Sequence, residues 1–116
     1  MANTFTNAGV AVWTGATTIY QVPIGQDSAV VHSIFLANID GTNSANVDIE
    51  VSTDGAGLTG FFYVGKTLPV PADSTLVLDK PLNLRNADAT SAGDLIRCTA
   101  SETLDIQAFC SVLEIT

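Results

Sequence analysis

The hydrophobic and polar positions alternate over short distances and never settle into a helical period. The clearest stretch sets Val47, Ile49 and Val51 against Asp48, Glu50 and Ser52. Strict alternation of this kind predicts a strand with one buried face. The preceding limb, Val30 to Ile39, is apolar at both parities, with Val30, Ile34 and Leu36 on one side and Val31, Phe35, Ala37 and Ile39 on the other. A strand apolar on both faces is expected to be covered on both, and hence central. Between the limbs, Asp40-Gly41-Thr42-Asn43 supplies turn chemistry, so Ala29 to Ser52 reads as one hairpin around which the chain is organised.

The remaining elements follow the same rhythm. Strands are expected at Ala8–Trp13, Thr17–Val22, Gly60–Leu68, Ser74–Leu78, Leu95–Ala100 and Thr103–Ile115, with a short one from Leu82. Pro23, the loop Asp54–Gly57, the connector Pro69–Asp73 and the stretch Arg85–Gly93 separate them. About eight strands with turn signals between them predict an all-β fold, an antiparallel β-sandwich or jelly-roll-like barrel. An immunoglobulin-like sandwich is the rival, but Trp13 precedes both cysteines, so its Cys…Trp…Cys order is absent. Residues 8–116 are expected to form the single domain. Residues 1–7 (MANTFTN) read as a short N-terminal arm, ordered only where docked, with Phe5 as its anchor.

The last strand starts half-exposed and ends apolar on both sides. Leu104, Ile106, Ala108, Cys110 and Val112 share one parity; Phe109, Leu113 and Ile115 take the other. An apolar outer face at a terminus is expected either to contact another subunit or to lie under the N-terminal segment. Phe5, Phe109, Leu113 and Ile115 are therefore the candidate interface residues.

Composition sharpens this picture. The chain has 116 residues, of which 47% are hydrophobic and only 14% charged, against about 25% charged in an average domain. Such a surface is covered by Ser, Thr and Asn, buried against partners, or both. The net charge is −8, with 12 acidic and 4 basic residues. Lys66, Lys80, Arg85 and Arg97 are scattered, which disfavours nucleic acid, because phosphate binding needs clustered cations. No apolar run reaches the roughly 20 residues of a spanning helix, and Met1–Gly9 lacks the basic and apolar regions of a signal peptide. A soluble protein made in a cytoplasm, with no membrane partner, is expected.

Candidate chemistry is sparse. Cys98 and Cys110 invite a disulfide. If Leu95–Ala100 and Leu104–Ile115 form a hairpin, however, the two lie about four residues apart along it, at ~3.3 Å per residue, beyond bridging reach. Two free buried thiols are expected. His32 is the only histidine, placed by parity with Val30 and Ile34 inside the central strand. Adjacent Ser33 points the other way, so no hydrolytic triad is legible, and one His with two buried Cys makes no zinc site. Asp40, Asp54, Asp73, Asp88 and Asp94 fall in loops, where they read as turn-formers or, less ordinarily, as calcium ligands. Trp13, Tyr20, Phe61, Phe62 and Tyr63 fill a core or form a sugar-stacking platform. No catalytic residue, cofactor or metal is expected, and no enzyme.

Three stretches carry a resemblance: VVHSIFLANIDGTNSANVDIEV (30–51), LPVPADSTLVLDKPLNL (68–84) and SVLEIT (111–116). They resemble small structural proteins of tailed bacteriophages, especially aquatic ones, and the likeness runs over nearly the whole chain. Gly93-Asp94-Leu95 matches a "GD" start before the penultimate strand of such proteins. The loop Arg85–Ala92 departs from the pattern by being longer. The resemblance implies a virion component without catalysis. Its leading form is a capsid decoration (cement) protein, a homo-oligomer and commonly a trimer, bound through the major capsid protein or another virion protein. The alternative it leaves open is a tail or fibre component that binds a host-surface glycan.

Overall fold

The computed structural model describes residues 2–116, which form nine strands: β1 (Asn3–Val12), β2 (Thr17–Gln21), β3 (Ser28–Asn38), β4 (Ala45–Val51), β5 (Phe62–Val70), β6 (Thr75–Leu78), β7 (Leu82–Arg85), β8 (Leu95–Ala100) and β9 (Ile106–Ile115). They make two antiparallel sheets. One has the order β1-β9-β3-β6, with β7 also pairing β3; the other has the order β2-β8-β4-β5. The short strands β6 and β7 are two pieces of one edge. β6 covers Ile34–Ala37 of β3 and β7 covers Ser28–Val31. Between them Asp79-Lys80-Pro81 breaks the ladder, since Pro has no N–H to donate.

Counting β6 and β7 as one, first pairs with last, second with second-last, and so on inward. That is a long hairpin rolled into two facing sheets, the jelly-roll arrangement. The sandwich and jelly-roll expectation therefore holds, with nine strands. The organising hairpin does not. β3 and β4 lie in different sheets, and Ile39–Ser44 is a crossover. Its pivot is Asn38, buried at the end of β3. The Asn38 amide donates to the carbonyls of Asn43 (2.9 Å) and Val70 (3.0 Å), and its Oδ1 accepts from the Asp40 N–H (2.9 Å). The presumed β8–β9 hairpin is likewise a crossover, turned at Leu104 with φ 63°. The Leu104 and Ala100 N–H groups bond the carbonyls of Val12 and Trp13. Cys98 and Cys110 thus sit in opposite sheets, both buried and free.

β3 also departs from simple alternation. Its pairing with β9 shifts between Val31 and Ser33, a bulge at His32. A bulge inserts one residue and reverses the parity beyond it. Ala29 and Val31 face the core before the bulge; Ile34, Leu36 and Asn38 face it after. His32 is consequently on the outside, not inside the strand. Phe35, expected to be covered, is 36% exposed.

The core lies between the sheets. From the first come Val12, Ala29, Val31, Ile34, Leu36, Leu84, Ile106, Ala108, Cys110 and Val112; from the second Ile19, Val47, Ile49, Ile96, Cys98 and Ala100. The predicted inward set of β4, Val47, Ile49 and Val51, is buried as expected. Residues 3–7 are continuous with β1 and docked on the chain's own β9, from Asn3 opposite Ile115 to Val12 opposite Ile106, so the strand runs through the Asn7–Ala8 boundary.

Candidate assembly surface

The two outer faces of the sandwich differ in charge. On the β2-β8-β4-β5 sheet two ion pairs lie on the surface, beside Phe62, Tyr63 and Val64, which β5 leaves exposed at that sheet's edge. Lys66 Nζ lies 3.0 Å from Asp48 Oδ2, and the Arg97 guanidinium makes two bonds of 3.3 Å to Glu50 while its carbon sits 3.5 Å above the Phe61 ring. Arg85 donates to the Thr53 carbonyl at 2.9 Å. Three of the four cations are thus engaged locally.

The other sheet has almost no charge. Its five strands carry only His32, Arg85 and Glu114 as acidic or basic side chains. Glu114 turns inward, where its Oε2 accepts the Tyr20 hydroxyl at 2.6 Å. Burial pushes the Tyr20 phenol well up, reinforced by that bond. Two outward rows across the strands are largely apolar, with the polar row Asn7–Ser111–Ser33 between them. One runs Gly9–Phe109–Phe35–Val77, each opposite the next, with the two Phe rings 6.3 Å apart. A second runs Phe5–Leu113–Val30–Asn83. Phe5 is 78% exposed and stacks on His32, with centroids 6.3 Å apart and planes at 28°. All four candidate interface residues fall on this face: Phe5 opposite Leu113, Phe109 opposite Gly9 and Ile115 opposite Asn3. Reading β3 as covered on both faces hid two further members, Phe35 and His32, and with Phe35 its neighbour Val77 on β6. Phe35 carried a usable signal, because a face that nothing in the chain covers must otherwise be covered by something else.

The loop carboxylates bind the backbone. Asp54 accepts N–H bonds from Ala56 (3.0 Å), Gly57 (2.9 Å) and Thr59 (3.0 Å). Asp40 accepts from Thr42 and Asn43, and Asp88 from the N–H and hydroxyl of Thr90. On β4, Asp48 accepts the Thr67 N–H at 2.7 Å. Among the described residues no three His, Cys, Asp or Glu side chains converge as metal ligands. These bonds hold the carboxyls below their ordinary 3.8: the Ala56 N–H foremost at Asp54, the Thr42 N–H at Asp40, the Thr90 hydroxyl at Asp88 and the Thr67 N–H at Asp48. A depressed folded value contributes stability above the unfolded value and loses it as pH falls through the folded one. Desolvation acts oppositely on Cys98, pushing its thiol from 9.0 up to about 12. That contribution is present below 9.0 and fades as pH rises towards about 12. Urea midpoints measured across pH should therefore be flat in the neutral range, fall below the ordinary carboxylate range and fall again above 9.0. A midpoint unchanged in strong acid would remove these carboxylates as stabilising turn-formers.

Trp13 and Tyr63 are both exposed but do not converge. Trp13 adjoins β2, Tyr63 is on β5, and these are opposite edges of one sheet. No helix among the described residues is long and apolar enough to cross a membrane.

No family model matches the sequence, and no curated protein matches it. Solved structures do share its fold. The chain is similar to a subunit of Bacillus endospore appendages, a family of disulfide-linked pili, at TM-score 0.57 and 21% identity over 99% of this chain and 87% of that one. It is similar to a chain of the T13 particle of infectious bursal disease virus at TM-score 0.57 and 8% identity, over 97% of this chain and 31% of the viral one. The same virus's Gx strain gives 0.56 and 9%, over 99% and 33%. This chain therefore spans about a third of those viral chains. At such identities the likeness establishes a common β-sandwich fold, one used by both a virus particle and a pilus.

Proposed function

We propose that this chain is a non-catalytic structural subunit of a bacteriophage particle, bound to the outside of the capsid as a decoration protein. The observation that carries the reading is the uncharged aromatic face of the five-stranded sheet, displayed on a chain of net charge −8. An apolar sheet face left open on a small domain marks a contact surface. The opposite face carries the two ion pairs, with its exposed aromatics confined to the β5 edge. The fold shared with a virus-particle chain and the resemblance of residues 30–51, 68–84 and 111–116 to phage structural proteins support it. The partners are the major capsid protein and further copies of this chain. Stabilisation comes from mass action: a subunit that binds the assembled lattice and not the free shell protein favours the lattice.

The competing reading, a tail or fibre component binding host glycan, uses Trp13 or Tyr63 with loop carboxylates. The separation of the two aromatics and the engagement of Asp40, Asp54 and Asp88 by their own backbone weigh against a shared sugar platform. The copy number of this chain relative to the major capsid protein in purified particles tests the choice. A ratio near parity is expected. A few copies per particle would move the chain to the tail or a vertex, and its absence would overturn the virion reading.

A further inference from the structure

A sheet edge is a row of unpaired N–H and C=O groups, and proteins ordinarily blunt it with short strands, bulges, Pro or Lys. Four of the five edge strands here follow that rule. β2 has five residues and a bulge between Thr18 and Tyr20. β5 has two register shifts and carries Lys66 and Pro69. β6 and β7 have four residues each. β1 has none of these devices. It runs ten residues, NTFTNAGVAV, in unbroken register with β9, without charge or proline.

The alternation of antiparallel bonding says which groups of β1 are open. The Ala2 carbonyl accepts from the Thr116 N–H, placing even-numbered residues in the bonded pairs with β9. Asn3, Phe5, Asn7, Gly9 and Ala11 therefore direct their N–H and C=O away from β9. This outward set is symmetric about Asn7. Two copies of β1 laid antiparallel about that residue would pair Asn3 with Ala11, Phe5 with Gly9 and Asn7 with its own counterpart, leaving no group of the set unmatched.

We propose that the β1 edge is a two-fold contact between two copies of this chain, centred on Asn7. Side chains agree with the backbone. Phe5 of each copy would stand directly across from Gly9 of the other and, on turning from its stack with His32, would cover it, the arrangement in which an aromatic covers a strand glycine. A shallow hollow of about 330 Å³ lies at that place, lined by Gly9, Val10, Ala11, Gln107, Ala108 and Phe109. A Cβ on Gly9 would already touch the Phe109 ring at 3.4 Å, so a ring seated there extends the Phe109–Phe35 row. The two-fold symmetry of the outward set fits a second copy as the occupant, and charge permits it. Each chain carries −8, so like chains meet best where neither presents charge, and β1 is ten residues without any. The contact joins two five-stranded sheets into one and makes their apolar faces continuous. It does not depend on which larger particle the chain joins.

The test is the sedimentation of the full chain with three variants. The wild type should be a dimer. Asn7→Lys, which sets two ammonium groups against each other on the axis, should sediment as a monomer that is still folded by circular dichroism and whose melting temperature no longer depends on concentration. Asn7→Cys should form an interchain disulfide on mild oxidation, since bonded antiparallel pairs lie ~5.5 Å apart at Cα, within disulfide reach. Asn46→Cys, exposed on β4, should not. A wild type that is monomeric or trimeric at every concentration would overturn the proposal. So would a dimer indifferent to Asn7→Lys, or an Asn7→Cys chain that does not cross-link.

Discussion

Asp94→Ala should lower the unfolding free energy by about 3 kcal/mol, because it orphans donors that water cannot reach, each costing roughly 1–3 kcal/mol. Asp94 is 3% exposed and accepts from the Ser52 hydroxyl (2.9 Å) and the Gly55 N–H (2.7 Å), with the Arg85 N–H further off at 3.4 Å. Its own backbone joins the same knot: its N–H donates to the Arg85 carbonyl and its carbonyl accepts from Val22. One residue thus ties the ends of β2, β4 and β7 and the loop after β4. Ser52 passes the connection on, its Oγ accepting the Leu95 N–H at 3.0 Å. Denaturant unfolding followed by Trp13 fluorescence measures the loss, and thermal unfolding should show it as a drop of roughly 10 °C. Asp94→Asn, which keeps one acceptor oxygen but turns a donor towards a donor, should lose less. An Asp94→Ala protein within 0.5 kcal/mol of wild type, roughly the range of inert surface changes, would mean that the knot is not holding this end of the sandwich.

The neighbouring glycine has a separate reason to be there. A Cβ on Gly93 would come within 2.7 Å of the Arg85 carbonyl oxygen and 2.9 Å of the Asn86 Cα. Backbone cannot yield as a flexible side chain can, so the Gly-Asp pair before β8 is a close approach followed by a buried acceptor.

What was legible follows from which physics is local. The alternation of Val47, Ile49 and Val51 is a property of one strand, and it predicted burial correctly. The turn at Asp40–Asn43 was also legible, but turn residues do not say which sheet the next strand joins. That depends on Asn38 reaching Val70, 32 positions away. The bulge at His32 leaves no mark inside an apolar run, so no single parity could describe β3 along its whole length. The first residues of β1 read as an arm because an edge strand buries little: Asn3, Thr4 and Phe5 are exposed although paired. The proposed assembly face was half legible. The parity of Phe109, Leu113 and Ile115 was visible, whereas its continuation through Phe35 and Val77 needed the pairing of β9 with β3 and of β3 with β6.

That continuation supports the largest functional effect. Phe35→Glu combined with Phe109→Glu should abolish incorporation into particles while leaving a folded chain. Both rings point outward, at 36% and 42% exposure, so the exchange leaves the buried layer of Ile34, Leu36, Ala108 and Cys110 untouched. Two carboxylates at the centre of a face that otherwise carries none would have to be desolvated without partners on docking. Truncating a central aromatic anchor costs about 2–4 kcal/mol, and the added charges raise that further. A weakening of at least about a hundredfold is therefore expected, 1.4 kcal/mol being tenfold. Asn46→Glu, on the ion-paired face, should leave incorporation unchanged. Particle occupancy after mixing purified chain with undecorated shells measures both, with circular dichroism to establish that the variants fold. Full occupancy by the double variant would separate the apolar face from shell binding. Loss of occupancy with Asn46→Glu instead would place the shell contact on the opposite sheet.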